Sequence, residues 1–380
     1  MKGAPVKEMM DSGTGLTLIT GGAGFVGTNL ADRLLSLRRR VVILDNLSRP
    51  GVEQNLKWLK NRHPDLLSVE VGDIRDPSAV ARATHGVSHV FHFAAQVAVT
   101  TSLSDPLGDF EVNARGTLNV LEAVRQQAPD ASLVFTSTNK VYGHMSEVEL
   151  SERQLRHEPI GLDEATHGFN EHHPLSFHSP YGCSKGAADQ YVLDYAHTFR
   201  IRACVFRMSC IYGPHQFGNE DQGWVAHFII RALEGQPITL YGDGKQVRDV
   251  LHADDLMRAF LAAEKQMDGL AGQAFNLGGG PENTTSLLEL TTLISELQGE
   301  PLELQFCEWR PADQRYYVSD TRRFSRATGW RPRIDVRAGV GHLYGWLSEH
   351  RFGRRGKRTG MELPAPEDIE SFPASVFSTP

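Results

Sequence analysis

The sequence predicts an α/β protein built on a doubly wound parallel sheet, with a smaller mixed α/β domain at its C-terminal end. Three observations predict this fold. Short apolar runs alternate with amphipathic segments through the first half of the 380-residue chain. A glycine-rich turn follows the first of these runs, and after about residue 208 the alternation gives way to helices separated by loops. Alternation of this kind is typical of strands covered by helices on both faces of a sheet.

Five apolar runs are expected to form strands of the sheet because each is short and continuously apolar, as strands buried on both faces are. They are residues 16–20, 41–44, 90–93, 132–137 and 203–207. Between them, an apolar stripe predicts a helix over 25–37, and two longer amphipathic segments predict helices over 109–127 and 181–199.

The second half predicts helices over about 222–235, 253–265 and 286–298, together with a short strand over 274–279. Ser286 and Glu289 have the spacing of a capping box for the third helix. We therefore expect a first domain over 14–208 with a returning segment near 248–275. The second domain is expected over 209–247 and 276–350. Residues 351–380, rich in proline, serine and charge, are expected to be a tail with little structure.

Bulk composition excludes several classes of function. The net charge of −7 gives no basis for nucleic acid or an anionic membrane as the main partner, and no long uncharged apolar run predicts a membrane span. The four cysteines form no C-x-x-C pair, so the sequence predicts a cytoplasmic protein without a zinc site or disulfide framework. Six histidines within 144–178 lack metal-ligand spacing on a helix, and we expect a loop that caps the substrate there, with no metal.

The segment TGGAGFVG at 20–27 predicts a Rossmann dinucleotide site. Gly21, Gly24 and Gly27 permit a tight turn and let backbone N–H groups approach a pyrophosphate at a helix N-terminus. Asp45, about twenty residues further on, suits a ribose hydroxyl and favours NAD, whereas Arg49 nearby leaves a 2′-phosphate possible. Asp73 ends another strand and is expected either to bind adenine or to cap a helix.

Tyr181 and Lys185 are four residues apart in SPYGCSKGAADQY and share one face of a predicted helix. A tyrosine has an ordinary pKa near ~10 and is a poor base at neutral pH. We expect the Lys185 ammonium to lower the pKa of Tyr181 so that the phenolate can act as a general base.

Together these motifs resemble the extended short-chain dehydrogenases/reductases of the nucleotide-sugar epimerase/dehydratase family. The resemblance covers roughly residues 15–350 and includes DNLSR, GDIRD, FHFAAQVAV, NARGTLNVLEA, TSTNKVYG, FRMSCIYGPHQ and GDGKQVRDVLHADD. It implies a tightly bound NAD and a nucleotide-sugar substrate, with a CDP-sugar favoured. It also implies a homodimer or homotetramer assembled through helices such as 109–127 and 181–199.

The resemblance also implies the site residues. The catalytic set is Thr138, Tyr181 and Lys185. The cofactor contacts are Gly21, Gly24, Phe25, Val26, Asp45, Asn46, Ser48, Arg49, Asp73, Ile74, Ala94, Gln96, Tyr181 and Lys185. The substrate contacts are Thr138, Asn139, Gln216, Arg248 and Arg310, the two arginines on the diphosphate, whose oxygens an arginine can bind in pairs. Trp224 is expected to pack in the following helix.

Asn139 and Lys140 decide between reactions. Dehydratases of the family carry an acidic pair after the Ser/Thr, and removing water needs such an acid and base. Asn139 and Lys140 are not carboxylic acids, so we expect no dehydration. Asn139 is expected either to contact the sugar or to form a turn, and Lys140 is expected to be structural. The residues thus indicate an epimerase, and the family resemblance implies inversion at C2 of a CDP-hexose through a keto sugar. The alternatives are a 4-epimerase of a UDP- or other NDP-sugar and a non-catalytic NAD-binding sensor.

Overall fold

The computed structural model describes residues 15–145, 148–161, 166–310 and 313–353. Seven parallel strands form its central sheet in the order β12-β8-β5-β4-β1-β2-β3. Their bounds are β1 Leu16–Thr20, β2 Val41–Asp45, β3 Leu67–Val71, β4 Val87–His92, β5 Ser132–Thr138, β8 Arg202–Met208 and β12 Ala274–Leu277. The parallel doubly wound sheet predicted from the sequence is thus confirmed.

Helices cover both faces of the sheet and enclose one apolar core on each side. One face packs against α1 (Phe25–Ser36), α2 (Val52–Arg62) and α9 (Ala253–Lys265). The other packs against α3 (Pro77–Thr84), α6 (Gly116–Gln127) and α7 (Ser179–Thr198). The two short helices α4 (Val99–Ser104) and α5 (Pro106–Phe110) pack against α7.

The helix predicted over 109–127 is interrupted. A five-residue π-helical turn, Glu111–Arg115, separates α5 from α6. In this turn the Asn113 side chain donates to the Gln96 carbonyl at 3.0 Å and to Ser184 Oγ at 3.1 Å. The wider turn therefore links the loop after β4 to α7 at the edge of the site described below.

The smaller domain contains the remaining sheets. β11 (Val247–His252) pairs with β9 (Cys210–Tyr212), β13 (Thr284–Ser286) and β15 (Tyr316–Tyr317), and β10 (Ile238–Tyr241) pairs with β14 (Leu304–Cys307). Its helices are α8 (Trp224–Leu233), α11 (Leu287–Gln298) and α13 (Val336–His350). The short helices α10 (Met267–Leu270) and α12 (Arg322–Thr328) pack instead on the central sheet, against β8 and β12. A hairpin of β6 (Leu150–Glu152) and β7 (His157–Pro159) and 3₁₀ turns at Asn139–Tyr142 and Pro281–Asn283 complete the fold.

The boundary between the domains differs from the expectation at two strands. The expected returning segment begins with β11, which pairs within the smaller domain. The expected boundary at 275/276 divides β12, yet β12 pairs in parallel with β8 and forms an edge of the central sheet. The reason is that α9 packs on that sheet and carries the chain back to its edge, as a crossover helix does. The capping box of Ser286 and Glu289 is confirmed, with each side chain bonded to the backbone of the other residue.

No helix in the described ranges is both long and apolar enough to cross a membrane. The tail expected over 351–380 lies outside the described residues from 354 onward.

Candidate active site

One cavity of about 810 Å³ opens at the carboxyl ends of the central strands and extends toward the smaller domain. The structure brings all the residues proposed above for cofactor, catalysis and substrate to its walls: Gly21, Gly24, Phe25, Val26, Asp45, Asn46, Ser48, Arg49, Asp73, Ile74, Ala94, Gln96, Thr138, Asn139, Tyr181, Lys185, Gln216, Arg248 and Arg310. A crevice beyond the carboxyl ends of the strands is where open α/β sheets bind ligands.

The glycine loop between β1 and α1 has the geometry that a pyrophosphate requires. Gly21 has φ +69°, and a Cβ there would lie 2.7 Å from the backbone nitrogen of Ala94. A Cβ on Gly27 would lie 2.4 Å from the Gly21 carbonyl oxygen, so the helix could not approach the loop. Gly24 precedes α1 at the N-cap position and supplies no side-chain cap, which leaves N-terminal N–H groups of the helix available to an anion in the cavity.

Asp45 ends β2 at the edge of this loop. Its carboxylate accepts hydrogen bonds from the backbone N–H groups of Ala23 at 3.0 Å and Leu47 at 2.9 Å, which fix its orientation. Burial raises the pKa of Asp45, and these two hydrogen bonds oppose that rise. Arg49 extends instead to the Gln222 side chain, on the substrate side of the cavity. The carboxylate in this setting suits a ribose diol and fits NAD.

Asp73 is held by other side chains. Arg75 donates to both of its carboxylate oxygens, at 2.9 and 2.8 Å, and Asn46 Nδ2 donates to it at 2.7 Å. The Arg75 guanidinium lowers the pKa of Asp73 well below its ordinary value. Asp73 does not cap α3, because Asp76 accepts from the Ser78 N–H there. The helix-cap alternative for Asp73 is therefore wrong.

Gln96 lines the cavity, and its side chain is bonded to a buried carboxylate. Its Nε2 donates to Asp109 Oδ1 at 2.7 Å, and Ser184 Oγ donates to the other oxygen of the same buried carboxylate. Sequence reasoning did not single out Asp109, because an acid at the start of a predicted helix has no pattern that reveals its burial.

Tyr181 and Thr138 meet at the centre of the cavity. The Thr138 hydroxyl is hydrogen-bonded to the Tyr181 oxygen and lowers its pKa, but burial has the larger effect and raises the pKa of Tyr181 to about 12. Asp109 also raises this pKa, whereas Arg49 lowers it. The phenol is therefore protonated at neutral pH in the protein by itself.

Lys185 differs from the expectation. Its Nζ donates to the Thr136 carbonyl at 2.7 Å and lies 4.2 Å from the centre of the Phe135 ring. Burial lowers the pKa of Lys185 to about 7. The amine is thus bonded to the end of β5, and it is not among the groups that lower the pKa of Tyr181. The expected effect of Lys185 on that phenol is wrong for the protein alone.

Asn139 and Lys140 connect the end of β5 to residues 313–314. Asn139 Nδ2 donates to Gln314 Oε1 at 3.3 Å. Lys140 Nζ lies 3.9 Å from Asp313 Oδ1, and Arg248 donates to the same oxygen at 2.8 Å. Sequence reasoning missed Asp313 as a member of this wall, because it lies far from the other residues along the chain.

The far end of the cavity is aromatic and basic. The Arg310 guanidinium lies 3.9 Å from the centre of the Tyr241 ring and donates to the Glu220 carbonyl at 2.8 Å. Gln216 Nε2 donates to the Ile211 carbonyl at 3.2 Å. Trp224 packs against Phe228 in the same helix, as expected, and it also lines the cavity.

The histidine-rich stretch forms a separate feature. His144, His173 and His178 line a second cavity of about 300 Å³ with Tyr142 and Met145. Within the described residues, one group of side chains could hold a metal, and it lies elsewhere: His252, Asp254 and His342. There His252 Nε2 is 3.0 Å from His342 Nδ1 and His252 Nδ1 accepts from the Asp254 N–H, so both ring nitrogens already have partners.

Comparison with known proteins places these residues in a family. The model of the NAD dependent epimerase/dehydratase family matches residues 17–278. A CDP-paratose 2-epimerase from Salmonella typhi is 43% identical over 344 residues, covering 87% of this chain and 98% of that protein.

Solved structures agree with this assignment. The UDP-glucose 4-epimerase of Thermus thermophilus, in complex with NAD, superposes with a TM-score of 0.74 at 32% identity, covering 88% of this chain and 99% of the other. DesIV is a dTDP-glucose 4,6-dehydratase from Streptomyces venezuelae whose structure has NAD and TYD bound. It superposes with a TM-score of 0.76 at 28% identity, covering 89% of this chain and 98% of the other.

Proposed function

The chain belongs to the NAD-dependent epimerase/dehydratase family, and on that premise we propose that it inverts C2 of a CDP-hexose, in the manner of CDP-paratose to CDP-tyvelose. It is an NAD-dependent nucleotide-sugar epimerase. The nucleotide and the carbon are supported by its 43% identity to a CDP-paratose 2-epimerase over nearly the whole of that enzyme.

The observation that carries the choice of epimerase over dehydratase is the pair after Thr138. Asn139 is an amide bonded to Gln314, and Lys140 is an amine beside Asp313. Neither can serve as a carboxylic acid–base couple for expelling a hydroxyl group. Asp313 does not replace that couple, because Arg248 donates to its Oδ1 and holds it as an ion pair.

Each residue has one task in the proposed mechanism. Tyr181 takes the proton of the reacting sugar hydroxyl and later returns it, and Thr138 holds that oxygen. When bound, NAD⁺ would supply the hydride acceptor, and its positive charge would favour ionisation of the phenol, whose pKa the protein alone leaves at about 12. Lys185, bonded to the end of β5, would hold the cofactor ribose. The keto sugar rotates within the cavity, and the oxidised carbon is then reduced on its opposite face.

The proposal also includes the compartment, the oligomeric state and the preferred nucleotide of the enzyme. The cysteines at 183, 204, 210 and 307 are all free thiols, which supports a reducing compartment such as the cytoplasm. We also propose a homodimer or homotetramer. A cytidine nucleotide is preferred over a uridine nucleotide on the same identity argument.

The second candidate is inversion at C4 of a UDP-sugar. It is favoured by the likeness to a UDP-glucose 4-epimerase structure and would use the same three catalytic residues. Which carbon reacts depends on the pose of the sugar, and Thr138, Tyr181 and Lys185 would serve either.

A panel of CDP- and UDP-hexoses, with the products assigned by NMR, tests the proposal. We expect C2 inversion with CDP-hexoses and no loss of water from any substrate. Inversion at C4 alone would replace the first candidate with the second, and a 4-keto-6-deoxy product would contradict both.

The absorbance spectrum of the desalted protein should retain a cofactor shoulder, because an epimerase regenerates NAD⁺ in each cycle. A sensor would retain the shoulder without turning over any sugar.

A further inference from the structure

A buried carboxylate behind the active site has no task in the proposed mechanism. Asp109 lies on α5 and is 1% exposed, and its charge acts on both Tyr181 and Lys185. Burial of a charge is unfavourable unless hydrogen bonds and an opposite charge compensate it. The compensation of Asp109 therefore shows what this carboxylate does.

Three side chains donate hydrogen bonds to Asp109. Gln96 Nε2 donates to Oδ1 at 2.7 Å, Asn113 Nδ2 donates to the same oxygen at 3.1 Å, and Ser184 Oγ donates to Oδ2. Burial raises the pKa of Asp109, and the hydrogen bonds from Ser184 and Gln96 oppose that rise. A carboxylate only accepts hydrogen bonds, whereas a protonated acid also donates one. Three donors therefore suit the ionised form of Asp109.

The three donors belong to three segments that meet at the site. Gln96 is in the loop after β4, Asn113 is in the π-helical turn, and Ser184 is on α7 next to Lys185. The loop after β4 lines the main cavity over residues 93–98. The Gln96 N–H also donates to Asn113 Oδ1 at 2.9 Å, which fixes the backbone of this loop. The carboxylate thus joins a wall of the cavity to the helix that carries both catalytic residues.

The opposite charge that acts on Asp109 is the Lys185 ammonium, which lowers the pKa of this carboxyl. Burial lowers the pKa of Lys185 to about 7, while Asp189 and Asp109 raise it. Asp189 holds the Arg207 guanidinium through two hydrogen bonds of 2.9 Å. The three side chains bonded to Asp109 are uncharged, so Asp109 is the carboxylate left to balance the lysine.

Further groups act on this cluster, and they keep one form near neutral pH. Burial lowers the pKa of His92 on β4 to about 3, so this imidazole stays neutral beside the lysine. Arg49 acts on the catalytic phenol and remains a cation. Asp105, an exposed acid at the start of α5, acts on Asp109. A change in pH dependence near neutrality would therefore report on Tyr181 and Lys185.

We propose that Asp109 is a positioning residue of the active site, whose carboxylate fixes the loop after β4 against α7 and is the counter-charge of the Lys185 ammonium. This inference rests on the proposed mechanism, in which Tyr181 is the base and Lys185 holds the cofactor ribose. Asp109 raises the pKa of both residues. Without its charge, the phenol would ionise and the ammonium would lose its proton at lower pH, so both limbs of a bell-shaped pH profile should move to lower pH.

The test measures kcat against pH in Asp109→Asn and Asp109→Glu, with the nucleotide sugar that the wild type inverts. We expect Asp109→Asn to move both limbs down by about one pH unit, which is about a tenfold loss of kcat on the alkaline limb. Asp109→Glu keeps the charge and should restore both limbs. The control is Asp105→Asn, which removes an exposed charge nearby, keeps a residue that can cap α5, and should match the wild type.

Two further measurements separate charge from packing. NAD affinity, followed by fluorescence, should fall at lower pH in Asp109→Asn than in the wild type, because Lys185 loses its charge earlier. Ser184→Ala keeps the carboxylate and removes its bond to α7. We expect this variant to lower kcat about tenfold with both limbs unmoved, because a hydrogen bond to a charged group is lost.

Limbs within about 0.3 pH unit of the wild type in Asp109→Asn would overturn the inference, because the charge would then not act on the catalytic residues. If Asp109→Asn does not fold, a wild-type kcat in Ser184→Ala overturns it instead. The inference and the proposed function fail separately. A wild type that inverts no nucleotide sugar would refute the proposed function, while the pH dependence of NAD affinity would still decide the role of Asp109.

Discussion

At the scale of single residues, Tyr181, the base of the proposed mechanism, is a buried phenol with a raised pKa. The phenol is 8% exposed and its pKa is raised to about 12, mainly by burial. Thr138 and Arg49 lower this pKa and Asp109 raises it, so the nearby groups largely oppose one another. In the proposed mechanism, this phenol becomes an effective base only when further positive charge lies beside it, which would couple proton transfer to occupancy of the cofactor site.

Replacement of Tyr181 by Phe should therefore abolish turnover and leave the cofactor bound. General-base catalysis contributes about 10²–10⁴-fold, and we expect at least that loss in kcat. Tyr191→Phe is the matched control, because this tyrosine lies on the same helix and is 45% exposed. Product formation and the cofactor absorbance of the desalted variants are measured together. Turnover near the wild-type rate in Tyr181→Phe would refute the mechanism.

The sequence was informative about the residue types in the site and less so about their interactions. Gly21, Asp45 and Tyr181 were found because each belongs to a local pattern of turn, strand end or helix spacing. The partners of Lys185 and Lys140 were not found, because they depend on strands and loops distant along the chain. Thr136 receives the Lys185 hydrogen bond through a backbone carbonyl, which no residue pattern reveals.

At the scale of elements, helix α7 is fixed to the sheet by a buried ion pair. Asp189 on this helix is fully buried and accepts two hydrogen bonds from Arg207 on β8, each 2.9 Å long. Arg207 also donates to the Tyr142 hydroxyl, which donates in turn to Asn276 on β12. One network thus connects the helix that carries Tyr181 and Lys185 with two strands and the turn after β5.

Asp189→Ala should lower the free energy of unfolding by about 3–5 kcal/mol, because it leaves the Arg207 guanidinium buried without its carboxylate. Asp194→Ala, at an exposed position on the same helix, is the control and should change stability little. Urea denaturation followed by circular dichroism measures both. Equal stability of the two variants would show that the pair contributes nothing.

Elements were predicted well where periodicity was strong and less well at the edge of the sheet. The strands β1, β2, β4, β5 and β8 have continuous apolar runs, and these identify them. The strand β12 is only four residues long, so its sequence does not show which sheet it joins. The π-helical turn at Glu111–Arg115 differs by one residue in its hydrogen-bond spacing, which amphipathic periodicity is too coarse to detect.

At the scale of the whole molecule, exposed apolar side chains gather on neighbouring helices. Leu103 on α4 is 52% exposed, Leu107 on α5 is 78% exposed and Phe110 on α5 is 51% exposed, and both helices pack against α7. On α7 itself, Tyr191 is 45% exposed. Grouped exposed apolar side chains mark interaction surfaces, and these helices adjoin those expected to form an oligomer.

A charge in this group should weaken the proposed oligomer. We expect Phe110→Glu to shift the mass measured by light scattering after size exclusion toward that of the 42.1 kDa monomer. Phe306→Glu is the control, since it is 57% exposed on β14 in the smaller domain. The assignment of this surface is wrong if both variants keep the wild-type mass, and a monomeric wild type would contradict the oligomer itself.

The late position of β12 in the chain has a consequence for synthesis on the ribosome. When β8 leaves the exit tunnel, its outer edge has backbone groups with no partner until the chain has been extended through Leu277. Open strand edges promote association between nascent chains. Between the synthesis of β8 and that of β12, we therefore expect the chain to aggregate unless chaperones protect it. A fragment that ends at residue 208 keeps this edge permanently open. Such a fragment should be poorly soluble, although it contains the whole glycine loop and both Tyr181 and Lys185.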